Sequence, residues 1–202
     1  MKPVLFSAAF VLLGLTACRP PDPMDEGDYT ARITAIRAAK DAEFMSTNDP
    51  VPESRKEELL PLPYYDIDPT YAVPAVLRPS ENSPTMMMVT STGSQEEMRR
   101  VGQLEFTLHG KPLKLTAFVS AASADINRLF VPFSDATSGT ETYPAGRYLD
   151  LDRRNTGIYE VDFNLAYNPY CHYNLAYVCP LPPAENRLDV RIEAGERIHP
   201  QG

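Results

Sequence analysis

The chain has 202 residues, with 19 Lys+Arg against 27 Asp+Glu and a formal charge of −8 at pH 7. So acidic a chain is not built to neutralise phosphates, which argues against nucleic acid as a partner. Twenty prolines, about twice the usual ~5%, count against long uninterrupted helices, and the length suffices for one sizeable core.

Met1–Lys2 is a short basic start, and residues 4–17 carry no charge. A basic start, a short apolar run and a small-residue exit read as a secretory signal, well short of the ~20 apolar residues of a membrane span. Leu15-Thr16-Ala17-Cys18 has the form of the lipobox of bacterial lipoproteins, in which the Cys thiol is lipidated. Cleavage after Ala17 removes Lys2 and no acid, so the mature charge becomes −9. Membrane attachment then rests on acyl chains at Cys18, because an anionic surface repels the domain. Arg19, not Asp, follows the Cys. By resemblance to lipoprotein sorting in enteric bacteria, the expected address is the periplasmic face of the outer membrane. Residues 18–28 are expected to be a tether, extended by Pro20, Pro21 and Pro23 and solvated by its acids. Residues 29–202 are read as one globular domain.

Asp28 is the expected N-cap of a helix running to Phe44. Ile33, Ile36, Ala39 or Lys40, and Phe44 form its apolar stripe, while Arg32, Lys40, Asp41 and Glu43 mark the other side. Ser54-Arg55-Lys56-Glu57 has the form of a capping box for a second short helix ended by Pro61. From Tyr64 the pattern is of strands. Tyr71–Leu77 is punctuated by Pro74 and predicts an edge strand. Thr85–Thr90 follows. Leu104, Phe106 and Leu108 alternate with polar residues, His109-Gly110-Lys111 turns the chain, and Leu113 to Val119 resumes the alternation, predicting a hairpin. Arg128–Phe133 predicts a buried strand, Tyr148–Leu151 and Ile158–Phe163 a second hairpin, and Asp189–Ile192 a last strand. The fold class expected is α+β or mainly β: an N-terminal helix on a curled antiparallel sheet, barrel- or sandwich-like, with a long irregular C-terminal loop.

In the second hairpin, pairing 149 with 161 and 151 with 159 gathers the apolar residues on one face. Tyr148, Asp150, Asp152, Glu160, Asp162 and Asn164 then share the other. That face is either a solvated surface or a partly buried acidic cleft with one carboxyl available as acid or base. An Arg147–Asp162 pair requires a bulge, for which Gly146 is suited. With Cys18 taken by lipid, Cys171 and Cys179 remain as a natural pair in an oxidising envelope. Their disulfide would contribute ~2–3 kcal/mol. Reduced core thiols and a metal site are the alternatives, but zinc needs two further ligands, which His109, His172 and His199 are not spaced to supply. No Gly-x-Ser-x-Gly, Walker or Gly-x-Gly-x-x-Gly segment occurs, and no cofactor is expected. The run from Ser134 through Thr137 and Ser138 to Gly139 reads as a self-satisfying turn more than as an anion nest.

Several segments carry a family resemblance: residues 129–139, Thr142-Tyr143, Gly146 to Asp150, Asp162 to Cys171, and Tyr177 to Pro183. Glu185 to Leu188 and Ala194-Gly195-Glu196 complete the set, with Arg37, Lys40-Asp41, Phe44 and residues 64–68 upstream. The chain resembles, over roughly residues 30–197, the bacterial family catalogued as domain of unknown function 1684, which implies no chemistry. Tyr143, Arg147, Asp162, Asn164, Tyr167, Asn168, Asn186 and Glu196 are the candidate ligand-binding set. The reading that follows is a cell-envelope lipoprotein whose rigid Asn/Tyr/Cys loop, residues 160–186, recognises a small polar ligand or an envelope partner. The alternative is a hydrolase using Asp162, with Arg147 and Asn164 holding substrate. Cys18→Ser should abolish lipidation and release the protein from membranes on fractionation; unchanged membrane association would refute the lipoprotein reading.

Overall fold

The computed structural model describes residues 26–123 and 127–200. The expected signal, the lipobox with Cys18 and most of the tether lie outside these residues. Helix α1 spans Glu26–Ser46, opening two residues before Asp28. Its buried face differs from the expected stripe. Tyr29, Ile33 and Phe44 are buried, Arg37 and Lys40 are half-buried between them, and Ile36 is 43% exposed. Three charges expected on the far side turn inward: Arg32 towards Asp162, Lys40 to Glu196, and Asp41, which accepts from the Leu62 N–H at 3.0 Å. Alanine-rich sequence makes the helix, but its seam is made of ion pairs and hydrogen bonds as much as apolar contact.

A 3-10 turn over Glu53–Arg55 leads into α2, Lys56–Leu59. Arg55, not Ser54, precedes α2 and no side chain caps it, so the expected capping box does not form. The turn's role is apolar: Val51, Leu59, Leu60 and Leu62 pack with Phe44 and Tyr173.

Seven strands follow: β1 Ala72–Pro79, β2 Thr85–Val89, β3 Gln95–Leu108, β4 Lys111–Ser120, β5 Arg128–Phe133, β6 Arg147–Asp152 and β7 Ile158–Asp162. They form one antiparallel sheet in the order β6-β5-β4-β3-β1-β7, with β2 also on β3, curled into a nearly closed barrel. The β3–β4 hairpin is as predicted. Leu108 pairs with Lys111 across His109 and Gly110, both at positive φ (48° and 79°), the geometry of a tight two-residue turn. A bulge between Arg100 and Gly102 bends β3. Its two halves therefore serve β2 and β1 in turn.

Three expectations need correction. First, β6 and β7 do not form a hairpin. They are the two ends of the sheet order, β6 on β5 and β7 on β1. Leu149, Tyr159 and Val161 do share the core, as alternation required, but alternation fixes a face and not a partner. Second, β1 is not an edge strand, since it lies between β3 and β7. Pro74 is tolerated because the β3 ladder begins only at Ala75, leaving Pro74 opposite Glu160 alone. Third, residues 189–192 are loop, tied to the barrel by side chains.

The core fills the barrel with the inward faces of six strands, from Val73, Leu104 and Phe106 to Leu129, Val131 and Val161. Phe163, Leu188, Ile192 and Ala194 of the long irregular C-terminal segment close it. Within that segment only short helical turns occur: 3-10 turns over Phe163–Leu165 and Ala184–Asn186, and α3, Tyr170–Tyr173.

Candidate functional site

Most of the polar residues singled out from sequence are struts of this irregular segment. Arg147 is wholly buried. Its guanidinium donates to the carbonyls of Ile192 (2.9 Å), Glu196 (3.2 Å) and Ala194, and pairs with Asp135 at 3.3 Å. Burial pulls its pKa down and Asp135 opposes the shift. The Arg147–Asp162 pair is therefore absent. Asp135 also accepts from the N–H groups of Ile192 (2.7 Å) and Thr137 (3.2 Å), the self-satisfying turn expected of that loop.

Asp162 is buried against α1. One oxygen accepts from the Tyr29 hydroxyl (2.8 Å) and from the backbone and side-chain nitrogens of Asn164 (3.0 and 3.1 Å); the other lies 3.5 Å from Arg32. Burial and this carboxylate push the Tyr29 phenol well up. The Asn164 amide, in turn, mimics a strand by bonding both the N–H and the C=O of Asp68. Asn186 does the same between β4 and β5, whose ladder has the single pair Phe118↔Phe130. Its amide accepts from the Thr116 N–H (2.7 Å) and donates to the carbonyls of Thr116 (2.9 Å) and Pro132 (2.7 Å), at the next pairing position.

Glu196, also buried, takes Lys40 and Tyr64 on one oxygen, and the Asn168 N–H (2.7 Å) and Tyr173 hydroxyl (2.5 Å) on the other. Gly195 lets it arrive there. Gly195 has φ +80°, and a Cβ would fall 2.6 Å from the carbonyl oxygens of Phe163 and Ala166. Asn168 donates to the Arg197 carbonyl at 2.9 Å.

Of the candidate set, Tyr143 and Tyr167 line the two larger cavities, and Asn164, Tyr167 and Glu196 a smaller one of about 250 Å³. Tyr167 lines a groove of about 810 Å³ between α1 and the 170–180 loop. Phe44, Phe130, Tyr148, Tyr167, Tyr170 and Tyr177 supply its rings; Lys40, Glu43, Arg128 and Asp150 supply its charges. The rings are held in edge-to-face pairs, Tyr148 on Phe130 at 4.7 Å and Tyr170 on Tyr177 at 5.3 Å. Asp150 accepts from the Tyr167 hydroxyl at 2.6 Å and from Arg128 at 3.0 Å; burial and then Asp150 push the Tyr167 phenol up, and Arg128 opposes them. Sequence reasoning missed most of these residues. The available signal was tyrosine density, since seven of the 11 tyrosines fall between 143 and 177.

Beneath the groove, Cys171 and Cys179 are both buried and stand unbonded to one another. The Cys171 N–H donates to the Cys179 sulfur at 3.1 Å, and the Tyr143 hydroxyl lies 3.9 Å from the Cys171 sulfur. The Cys179 thiol as donor, with Tyr143 and Ser91 assisting, holds Cys171 down at about 6, while Cys179 is pushed up in return. Arg147→Met should lower the unfolding free energy in urea by about 3–5 kcal/mol, because Asp135 is left buried without its cation. Leu175→Ser, at a position 86% exposed, should change it by no more than about 0.5 kcal/mol. Equally small losses at both sites would overturn the strut assignment.

Residues 57–197 match the family model described as Protein of unknown function (DUF1684). No curated protein matches the chain. Among solved structures it is similar to an uncharacterized protein of Haloarcula marismortui determined by solution NMR. The two are 36% identical with a TM-score of 0.66, over 85% of this chain and 95% of that one. With the match running from α2 through the barrel to the residues that hold α1 down, the chain belongs to the family described as Protein of unknown function (DUF1684).

Proposed function

We propose that this chain is a lipid-anchored binding module of the cell envelope, taking a small ligand with a flat apolar body and a polar edge in the aromatic groove. The observation that carries the reading is the make-up of that groove: six rings, and four charged side chains at their margin. A concave, mainly aromatic surface with few convergent polar groups suits a small molecule. The Tyr148 hydroxyl is tied to the Pro180 carbonyl and that of Tyr167 to Asp150, so two ring faces are set before a ligand arrives. Preset rings lose little rotamer freedom on binding. The lipobox at Cys18 supports an outer-membrane address facing the periplasm, with the residues before α1 as tether. The hydrolase reading has less support. Arg147 bonds the C-terminal loop and Asp162 bonds α1, so each is committed to a different contact within the fold.

In the oxidising envelope we infer that Cys171 and Cys179 join as a disulfide, their two electrons and two protons passing to the disulfide of an envelope thiol oxidase, which leaves as a dithiol. Their adjacency supports this, as does the low pKa of Cys171, since the thiolate is the attacking species. Thiol counting on protein alkylated at extraction and then denatured should find neither cysteine free; two titratable thiols would refute it.

A thermal-shift screen of the purified protein against cell-envelope saccharides and aromatic metabolites tests the groove. A ligand at a hundred times Kd should add ~2.7 kcal/mol, several degrees in Tm. Tyr177→Ala combined with Arg128→Ala should remove the shift. A ligand that stabilises this double variant as well as the parent would place the site elsewhere.

A further inference from the structure

On the other side of α3 lies a second cavity, of about 1020 Å³, bordered by Arg55, Glu58, Glu141, His172, Arg197 and His199. Its charges are nearly all matched within the fold. Arg55 forks onto Glu58 at 3.2 and 2.9 Å and donates to the Tyr173 carbonyl at 2.7 Å. Glu141 accepts from the Tyr65 hydroxyl at 2.9 Å and pairs with Arg191.

Arg197 is the exception. Its guanidinium lies over the Tyr65 ring, 4.9 Å from the centroid. Among the described residues no carboxylate is in ion-pair contact with it. Its Nε is buried without an acceptor. The backbone beneath is pinned: the Arg197 N–H donates to the Pro63 carbonyl at 2.8 Å, and its own carbonyl accepts from Asn168. The guanidinium is therefore held against a ring beside the cavity, within electrostatic range of Glu141 but with no carboxylate in contact.

The flanking rings are held by the fold. His199 Nε2 donates to the Leu59 carbonyl at 3.1 Å, which fixes the ring at the cavity border. His172 is stacked between Tyr143 (5.0 Å) and Tyr173 (4.9 Å). Burial brings its pKa down to about 4, so at neutral pH it is an uncharged ring. Both glutamates at the border make their close contacts with other arginines, Glu58 with Arg55 and Glu141 with Arg191, so Arg197 feels Glu141 only at longer range.

We propose that this cavity binds the oxyanion of a small molecule, a carboxylate or a phosphate, on the Arg197 guanidinium. A buried donor without an acceptor is costly, and a rigid fork of N–H groups matches the paired oxygens of either anion. The site is distinct from the aromatic groove and does not depend on it: Tyr170 of α3 faces the groove, whereas His172 faces this cavity.

The test is NMR titration of isotope-labelled full chain in detergent micelles with inorganic phosphate and, separately, acetate, at constant ionic strength. The Arg197 Nε–Hε cross-peak, assigned by its loss in Arg197→Lys, should shift and saturate with one or both anions. Followed at the His199 ring signals, binding should weaken about tenfold or more in Arg197→Gln, the loss of a charge-assisted pair. A shift that rises linearly without saturating in the wild-type protein would overturn the proposal. So would equal affinity in Arg197→Gln.

Discussion

A wholly buried guanidinium organises the part of this molecule that has no ladder. After β7 the chain runs from Phe163 to Pro200 without a named strand, yet much of it is buried. Buried backbone has to be hydrogen-bonded somewhere. Arg147 gathers the carbonyls of Ile192, Ala194 and Glu196 around one side chain, and Asp135 offsets its charge while binding the Ile192 N–H. That turn delivers the Glu196 carboxylate to Lys40 of α1 and Tyr173 of α3. Helix α1 and α3 are the walls of the aromatic groove, and α3 borders the second cavity as well. Both recesses thus inherit their shape from one arginine on the first residue of β6.

This explains why polar residues that look functional in the sequence turn out to be internal. Asp, Asn, Arg and Glu in a Pro-rich segment are the groups able to stand in for missing strand partners, and here they do so: Asn164 for Asp68, Asn186 for β4 and β5, Glu196 for the Asn168 N–H. Most of their hydrogen-bonding atoms are used within the fold; Arg147 Nε, Asp162 Oδ2 and Asn168 Oδ1 are buried without a hydrogen-bond partner. The groups left at cavity edges are of another kind: aromatic rings held edge to face, and Arg197, whose Nε has no acceptor.

What was legible in the sequence was local. The β3–β4 hairpin follows from period-two alternation and a His-Gly turn, and β5 falls on its expected residues, Arg128–Phe133. The mainly β class, the leading helix and the long irregular end also follow from periodicity and proline placement. Long-range choices were not legible. Alternation in β6 and β7 is the same whether they pair with each other or, as here, β6 with nearby β5 and β7 with β1 at the far end of the sequence. Ile36 has the spacing of a buried residue, but the barrel meets α1 on its Arg37 and Lys40 side because Glu196 and the Tyr65 carbonyl await there. The aromatic groove joins α1, β5, β6 and the 170–180 loop, four segments that nothing in a single sequence brings together.

The Asn186 amide has a consequence for the order in which the fold can assemble. Between β4 and β5 the ladder is a single pair, and the adjoining bonds come from a side chain 70 residues beyond Thr116. Until that stretch of chain is available, the sheet is two pieces with a poorly joined seam: β1 to β4 with mostly near neighbours, and β5 with β6. The irregular end is therefore not a decoration added to a finished barrel. Closure waits on contacts of long sequence separation, which places this topology among slow folders. A ribosome still holding the last segment would hold back the joint that makes one domain of two half-sheets.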